Sequence, residues 1–413
     1  MRLLALAVCL VLASCGGSSP SATALATTNK AATVASSTAI ANTASNVASI
    51  LFGNLPQSTS SGMNRPYVSV TICIPGTSTC QTIDHILLDT GSSGLRIYAS
   101  SIADSTFVLP AVNNTAGLPV GECLSFVSGY TWGSVRSADV RIAGESASKQ
   151  SIQMVGDTQA AYARVPSSCR NSGQNLGTVA VLGQNGILGV GLFSHDCGAS
   201  CVTSTDTGVY FGCATSGSCT ASTLALTSQV SNPVAAFALD NNGVVIVLPS
   251  VATGGATTLA GSLIFGIGTA SNNPITSERV YQTDSSGNFI STYKGVSYAS
   301  SYLDTGSSGY YLPDSSIATS SRNSDIFSPS PALALTASNS AADGSASATV
   351  NFTLDSYDAL ASNTVAASIG FNNSSSSGNT SIAWGLPFFF GRSVFVAISG
   401  ASTPQGAGPF WAY

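Results

Sequence analysis

Residues 86–94 read Ile-Leu-Leu-Asp-Thr-Gly-Ser-Ser-Gly, and residues 302–309 read Tyr-Leu-Asp-Thr-Gly-Ser-Ser-Gly. Each segment places an aspartate at the end of an apolar run, and a turn of small polar residues follows it. The two aspartates, Asp89 and Asp304, are 215 positions apart, which leaves room for a full set of strands between them. We therefore predict two lobes, each of which delivers one of these turns to a shared cleft.

The composition favours an exported β protein with no nucleic-acid partner. A chain of 413 residues exceeds one ordinary hydrophobic core, so two lobes are expected. Charged residues make up only 8%, against about 25% in an average soluble protein, so Ser, Thr, Asn and Gly must form the polar surface. The 41 glycines and many β-branched residues favour short strands and turns. A net charge of −5 excludes the broadly basic surface that nucleic acids require.

The first fifteen residues carry an export signal. Met1 and Arg2 precede the apolar run of residues 3–12, which is too short to span a bilayer as a helix. The segment Leu12-Ala13-Ser14-Cys15 resembles the bacterial lipobox, which implies that cleavage leaves a lipid on Cys15. Because the next residue is Gly and not Asp, this resemblance implies an anchor at the outer membrane of a bacterial cell envelope. The alternative is ordinary secretory cleavage with Cys15 incidental; the chain is exported in either case.

The rest of the chain divides into a tether and two lobes. Residues 16–62 are rich in Ala, Ser and Thr and cannot bury enough apolar surface to order themselves, so we predict a tether. Only residues 50–52 within it have the composition to join a sheet. Ordered structure is expected to begin near Pro66. We predict an N-terminal lobe over residues 63–272 and a C-terminal lobe over residues 273–413.

Eight cysteines follow Cys15, and an even number in an exported chain suggests disulfide bonds. We assign only Cys73 with Cys80, because these residues flank a turn-rich hairpin tip. The other six leave alternatives open: Cys197/Cys201 and Cys213/Cys219 in local or nested pairs, with Cys123 and Cys169 remaining. A metal site is the competing interpretation. Since the chain has only His85 and His195 and no CxxC pair, we predict no metal and no cofactor.

The repeated turn suits acid–base chemistry. A single copy has a plain explanation, because Asp, Ser and Gly are common turn residues. Two copies, each after a buried type of strand, favour a function, since an unpaired buried charge is costly. Two carboxyl groups that meet cannot both ionise easily, so the pair titrates as a unit with one pKa raised. Such a pair can activate a water molecule and protonate a leaving group.

The neighbouring residues fit this role. Gly91 and Gly306 permit the tight turn and the close approach of the opposite loop. We expect four hydroxyl groups to donate hydrogen bonds that orient the carboxylates: those of Thr90, Ser92, Thr305 and Ser307. The sequence contains no GxSxG and no HExxH motif that would supply another hydrolytic centre.

From Tyr67 to Tyr413 the chain resembles the pepsin family of two-lobed aspartic proteases. The motifs that carry the resemblance are the two Asp-Thr-Gly turns with their strands, Gly-Ile-Leu-Gly-Val-Gly at 186–191, Gly-Ser-Leu-Ile-Phe-Gly at 261–266, and residues 383–396. This resemblance implies an all-β, bilobal, pepsin-like acid protease fold with a central cleft and few short helices. It implies that Asp89 and Asp304 are catalytic and that Tyr130, followed by Gly133 and Ser134, closes a substrate-binding flap. The lipobox and the Cys-rich insert resemble a less-studied bacterial branch of exported pepsin-like lipoproteins.

These observations predict a monomeric aspartic endopeptidase that acts on peptide or protein substrates from a membrane anchor. The hydroxyl group of Ser307 beside the second aspartate leads us to expect an acidic pH optimum. The chain departs from the family pattern at Arg96, where a tryptophan usually supports the flap tyrosine, and it has no basic prosegment. These departures leave two alternatives: a catalytically quiet pepsin-fold lipoprotein that binds peptides or inhibits an enzyme, and a surface adhesion or structural lipoprotein.

Overall fold

The computed structural model describes residues 44–53, 55–56, 62–374 and 380–413. The predicted signal peptide, the lipidation site at Cys15 and most of the predicted tether lie outside the described residues. Within the described part of the chain, no helix combines the length and the apolar character that crossing a membrane requires.

The predicted all-β class is confirmed, because strands dominate the described residues. In chain order the strands are β1 Val47–Leu51, β2 Tyr67–Cys73, β3 Cys80–Asp89, β4 Ser93–Tyr98, β5 Val120–Phe126, β6 Gly129–Ile142, β7 Glu145–Val155, β8 Gly186–Val190, β9 Tyr210–Cys213, β10 Cys219–Ala221, β11 Gly243–Leu248, β12 Ala260–Phe265, β13 Val280–Gln282, β14 Phe289–Tyr293, β15 Val296–Asp304, β16 Tyr310–Leu312, β17 Leu333–Ser340, β18 Ser347–Leu354, β19 Gly370–Asn372, β20 Ala383–Gly385, β21 Arg392–Ala397, β22 Ser402–Thr403, β23 Gly406–Ala407 and β24 Phe410–Ala412. The α-helices are single turns: α1 Ser167–Arg170, α2 Val179–Leu182 and α3 Ala199–Thr203. The 3₁₀ helices are Ala99–Ser101, Ala160–Tyr162, Leu226–Ser228, Pro233–Ala236, Tyr357–Ala359 and Leu386–Phe389.

Two main sheets contain most of the strands. The larger has fifteen strands in the order β10-β9-β5-β6-β7-β4-β8-β3-β2-β1-β12-β11-β21-β24-β13. The second has seven, in the order β18-β17-β14-β15-β20-β16-β19. The large sheet includes β13, β21 and β24, which follow the predicted lobe boundary at residues 272/273. The sheets therefore do not divide at one point of the sequence.

Strand β1 corrects the predicted tether. It lies between β2 and β12, and its residue Val47 pairs with Ile264. The side chains of Ala48 and Ile50 are buried in one hydrophobic cluster, and Val47 on the opposite face is buried in another, so the strand is covered on both sides. Ordered structure therefore begins well before Pro66. The tether prediction is wrong for residues 47–49, whereas residues 50 and 51 belong to the segment that was expected to be able to join a sheet.

The same three-strand arrangement occurs once in each sheet. In the large sheet, β3 runs parallel to β8, and β4 returns antiparallel to β8. In the second sheet, β15 runs parallel to β20, and β16 returns antiparallel to β20. The last residues of β3 and β15 are the two aspartates: Asp89 pairs with Gly189, and Asp304 with Gly385. The sequence repeat is therefore also a structural repeat.

The eight cysteines of the described chain form four disulfide bonds, which confirms the predicted pair Cys73–Cys80. Two of the other bonds, Cys197–Cys201 and Cys213–Cys219, are local pairs, and the third joins the remaining cysteines, Cys123 and Cys169. Local pairing is therefore the alternative that the structure supports. The Cys123–Cys169 bond joins β5 to α1 and ties down the long connection that follows β7.

Candidate active site

Each aspartate is the last residue of a strand, and the two strands differ in burial. Ile86, Leu87 and Leu88 are all buried, as their continuous apolar run predicts for a strand covered on both faces. Asp89 is itself buried, and Asp304 is half-buried at the end of β15. A turn follows each aspartate directly, so both carboxyl groups lie where a strand changes direction.

The two carboxyl groups have matching hydrogen-bond partners. Asp89 accepts hydrogen bonds from the Gly91 backbone N–H (2.8 Å) and from the Ser92 hydroxyl (2.6 Å). Asp304 accepts the equivalent bonds from Gly306 (2.7 Å) and Ser307 (2.6 Å). Each carboxylate is therefore held by its own turn, as expected for the two serines.

The two turns bring Asp89 and Asp304 together. The carboxyl groups lie within hydrogen-bond reach of each other. The glycines make this approach possible: a methyl group on Gly306 would lie 2.8 Å from Oδ1 of Asp89 and 3.0 Å from Oδ1 of Asp304. Similarly, one on Gly91 would lie 2.7 Å from Cγ of Asp304. Any larger residue at either glycine would push the carboxyl groups apart.

The carboxyl pair retains a proton to a higher pH than a single carboxyl group does. Burial, followed by the negative charge of Asp304, raises the pKa of Asp89 to about 7. The hydrogen bonds from Ser92 and Gly91 oppose this shift because they favour the ionised carboxylate. Two carboxyl groups this close share one proton over a wide pH range, as the sequence analysis anticipated.

The two threonines act differently from our expectation. Their hydroxyl groups do not orient the carboxylate of their own turn; each contacts the backbone of the opposite turn. Thr90 N–H donates to the Thr305 hydroxyl (3.1 Å), and Thr305 N–H donates to the Thr90 hydroxyl (3.0 Å). The Thr305 hydroxyl then donates to the Leu88 carbonyl (2.7 Å), and that of Thr90 to the Leu303 carbonyl (3.3 Å). This reciprocal bonding fixes the distance between the two turns.

Replacing Thr305 by Val should destabilise the fold by about 2–4 kcal/mol. The substitution removes the acceptor of the Thr90 N–H and the donor to the Leu88 carbonyl, and both groups are buried. Urea denaturation at pH 5 measures the effect. A matched control is Thr82→Val, which breaks only an exposed hydroxyl pair with Thr71 and should change stability by less than about 0.5 kcal/mol. Equal stability of the two variants would contradict this assignment.

Comparison with known families gives one match that covers most of the chain. The family model described as "Protein of unknown function (DUF3443)" matches residues 42–413. The chain belongs to the DUF3443 family. The DUF3443 region includes β1 and both Asp-Thr-Gly turns. No curated protein matches the chain. Among solved structures, the chain is similar to the crystal structure of an aspartic proteinase from Irpex lacteus, at 16% identity and a TM-score of 0.47, covering 89% of this chain and 96% of that chain.

Arg96 forms a buried charge cluster behind the first turn of this DUF3443 protein. Its guanidinium donates to Glu122 (2.8 Å) and to Asp196 (3.2 Å), and all three side chains are almost fully buried. It also donates to the Ser93 carbonyl (2.9 Å), next to the turn. Burial, with the nearby Glu122, raises the pKa of Asp196 well above its usual value. The sequence marked Arg96 as unusual, but it contained no signal for these two distant partners.

The contacts of Tyr130 do not place its side chain over the Asp89–Asp304 carboxyl pair. Strands β5 and β6 form a hairpin, and Tyr130 lies in β6 opposite Ser125. Its ring is buried in a cluster that also contains Trp132, Tyr162 and the Cys123–Cys169 disulfide. A ring packed in this way would have to leave the cluster to close over a substrate, so its role in a flap stays a prediction.

The two residues predicted to follow the flap tyrosine lie inside the sheet. Gly133 pairs with Glu122 on one side and with Val155 on the other. The Ser134 hydroxyl bonds Asp157, which also forms an ion pair with Arg136 (2.9 Å). These contacts make both residues part of the β5–β6–β7 framework; a contact with substrate stays a prediction.

Two tyrosines that were not predicted as site residues from the sequence, Tyr302 and Tyr311, lie near the carboxyl pair. Burial and the charges of Asp304, Tyr311 and Asp89 raise the pKa of Tyr302 to about 12. Burial, followed by the charge of Asp304, also raises the pKa of Tyr311. A signal for Tyr302 was available, because residues two apart in a strand point to the same face. Tyr311 could be located only once the pairing of β16 with β20 was known.

Proposed function

We propose that this protein is an aspartic endopeptidase that hydrolyses peptide bonds with a water molecule held between Asp89 and Asp304. The observation that carries the proposal is the geometry of the pair: two carboxyl groups within hydrogen-bond reach, each held by its own turn, with the pKa of Asp89 raised to about 7. Such a pair supplies one proton and one base at the same place.

The raised pKa of Asp89 indicates which carboxyl group acts as the acid and which as the base. We assign the shared proton to Asp89, whose pKa is raised, and the role of general base to Asp304. As the water oxygen bonds to the substrate carbonyl carbon, one water proton passes to Asp304, and Asp89 stabilises the developing oxyanion by donating its proton. The tetrahedral intermediate then breaks at the C–N bond, while the proton on Asp304 passes to the leaving amine. Asp89 regains its proton from the oxygen that becomes the product carboxyl group. No covalent intermediate with the protein forms.

The pH dependence follows from the same pKa. Since Asp89 must be protonated, kcat/KM should fall as the pH rises through about 7, by tenfold for each further pH unit. A pH–rate profile measured on an unfolded protein substrate from pH 4 to pH 9 tests this expectation. A rate that increases steadily from pH 4 to pH 8 would contradict the proposed protonation state.

The proposal is tested by cleavage of a diverse peptide pool, with the products identified by mass spectrometry. A peptide that carries a hydroxyl group in place of the scissile carbonyl mimics the tetrahedral intermediate and should block cleavage. Cleavage with this inhibition supports the proposed reaction. Tight binding of the same inhibitor, without cleavage of any peptide at any pH, would support the alternative of a quiet pepsin-fold binding protein.

We also propose that the enzyme works outside the cytoplasm. Four disulfide bonds in the described chain support this location, because disulfides persist in oxidising compartments. Lipid attachment at Cys15 is part of the same proposal. Mass spectrometry of the mature N-terminus tests it, and a mature chain that begins elsewhere without a lipid would refute it.

A further inference from the structure

Arg65 is held between the two catalytic turns. The preceding residue, Asn64, is buried, and its side chain donates to the Ser308 carbonyl (2.6 Å) and to the Ala367 carbonyl (2.8 Å). The following residue, Pro66, accepts a hydrogen bond from the Leu88 N–H (3.0 Å), immediately before Asp89. One flanking residue is thus fixed next to the Asp304 turn and the other next to the Asp89 turn.

The charge of Arg65 has no carboxylate partner in the protein. All eighteen Asp and Glu residues belong to the described part of the chain, and none of the ion pairs formed there includes Arg65. Burial lowers the pKa of its guanidinium, and the nearest opposing influence is the Tyr311 hydroxyl group. Because the pKa of that hydroxyl is raised, it is neutral at physiological pH and cannot balance the charge. A half-buried guanidinium without a counter-ion is ready to bind an anion.

Aromatic side chains lie beside this charge. Tyr302 on β15 and Tyr311 on β16 both pair with Ala383 on β20, one from each side, so their side chains share one face of the sheet. Tyr311 is stacked on Phe371, with ring centroids 4.8 Å apart, and is therefore fixed in place. It interacts with the charges of both Asp304 and Arg65. The two tyrosines therefore line the region next to Asp304, and Arg65 borders it.

We propose that Arg65, Tyr302 and Tyr311 form a subsite that binds a carboxylate group of the substrate beside the scissile bond. This proposal rests on the proposed function. Guanidinium groups bind carboxylates through two parallel hydrogen bonds, and partial burial strengthens such a pair. A neutral substrate side chain would leave Arg65 unpaired, and a basic one would be repelled. The carboxylate belongs either to an acidic side chain or to the free C-terminus of a peptide.

Two series of peptides distinguish these sources when the full chain is assayed at about pH 6, where Glu is ionised. The first series has an amidated C-terminus and carries Glu, Gln or Lys at each position around the cleaved bond. The second has neutral side chains and either a free or an amidated C-terminus. In the first series, we expect the kcat/KM of the Glu peptide to exceed that of the Gln peptide at one position by about tenfold or more. If the free C-terminus is the source, the same excess should appear for the free over the amidated peptide of the second series.

Three variants assign this preference to Arg65. In Arg65→Gln, the ratio of kcat/KM for the carboxylate peptide to kcat/KM for the neutral peptide should fall to about 1. Arg65→Lys should retain part of this preference, and Arg65→Glu should cleave the Lys peptide faster than the Glu peptide. A purely structural role would not reverse the preference. The control Arg141→Gln, which removes an exposed charge on β6, should keep the wild-type ratio. A wild-type enzyme without a carboxylate preference, or a ratio unchanged in Arg65→Gln, would overturn the subsite.

A binding assay separates this proposal from the proposed reaction. The same peptides, made with a hydroxyl group in place of the scissile carbonyl, are labelled and titrated by fluorescence anisotropy. If the wild-type protein cleaves nothing, a ratio of Kd values that favours the carboxylate and is lost in Arg65→Gln still supports the subsite. Equal Kd values for the carboxylate and neutral peptides in wild type would overturn it even in an active enzyme.

Discussion

Asp89→Asn and Asp304→Asn should each reduce kcat for peptide cleavage by about 10⁴-fold, because either substitution removes the shared acid–base pair. An amide can neither take the proton of the attacking water nor donate one to the carbonyl oxygen with comparable strength. The matching turn geometry suggests that the two losses are similar. Asp343→Asn, a change at an exposed aspartate, is the control and should retain wild-type activity.

The stability of Asp89→Asn provides a check that does not depend on activity. The folded pKa of Asp89 is raised, so wild-type protein loses stability as the pH rises from about 4 to about 7. Asparagine does not ionise, and we expect a gain in unfolding free energy of about 2 kcal/mol at pH 7.5 and less at pH 4. A variant that is inactive but less stable than wild type at both pH values would show instead that the side chain is structural.

Arg96→Met should destabilise the protein by about 3–5 kcal/mol at pH 7.5, because it leaves Glu122 and Asp196 buried without their cation. The loss should be smaller at pH 4.5, because burial and the charge of Glu122 already raise the pKa of Asp196, and removal of the Arg96 cation raises it further. Thermal or urea denaturation at the two pH values measures this difference. Cleavage should also fall, since the Arg96 guanidinium bonds the Ser93 carbonyl beside the first turn.

Two further variants show whether the stability loss in Arg96→Met comes from the buried charges. Arg141→Met makes the same change at an exposed position and should alter stability by less than about 0.5 kcal/mol. Arg96→Met combined with Glu122→Gln removes one of the two unpaired charges and should recover part of the loss. An Arg96→Met variant within about 1 kcal/mol of wild type at pH 7.5 would contradict the importance of the cluster.

Local features of the sequence predicted the centre of the site well. The strand that ends at Asp89 was readable because a continuous apolar run precedes the turn. The strand that ends at Asp304 was readable because the same turn sequence follows Tyr302 and Leu303. The serine hydrogen bonds also follow from local geometry, since Ser92 and Ser307 lie three residues after their aspartates. The class of the fold followed from the composition and from this repeat.

Long-range features were not readable. The threonine hydroxyls cross to the opposite turn, which requires that both turns be placed together in space. Strand β1 has only five residues in a segment of low complexity, and its partner β12 lies more than two hundred residues away. Tyr130 is buried in a cluster with the Cys123–Cys169 disulfide, whose cysteines are 46 residues apart in the sequence. Nothing in the sequence pairs Arg96 with Glu122 or places Arg65 beside Tyr311.

The distant strand pairs of the large sheet also determine when the Asp89–Asp304 pair can assemble during synthesis of the chain. Strand β1 can pair with β12 only after β12 has been synthesised, and β11 can pair with β21 only after the chain has been synthesised almost to its C-terminus. Pairings of such high sequence separation form slowly, since a long loop must close before any contact compensates for its entropy. Asp304 needs β20 as its neighbour. A growing chain on the ribosome therefore has no assembled carboxyl pair until nearly all of it has emerged.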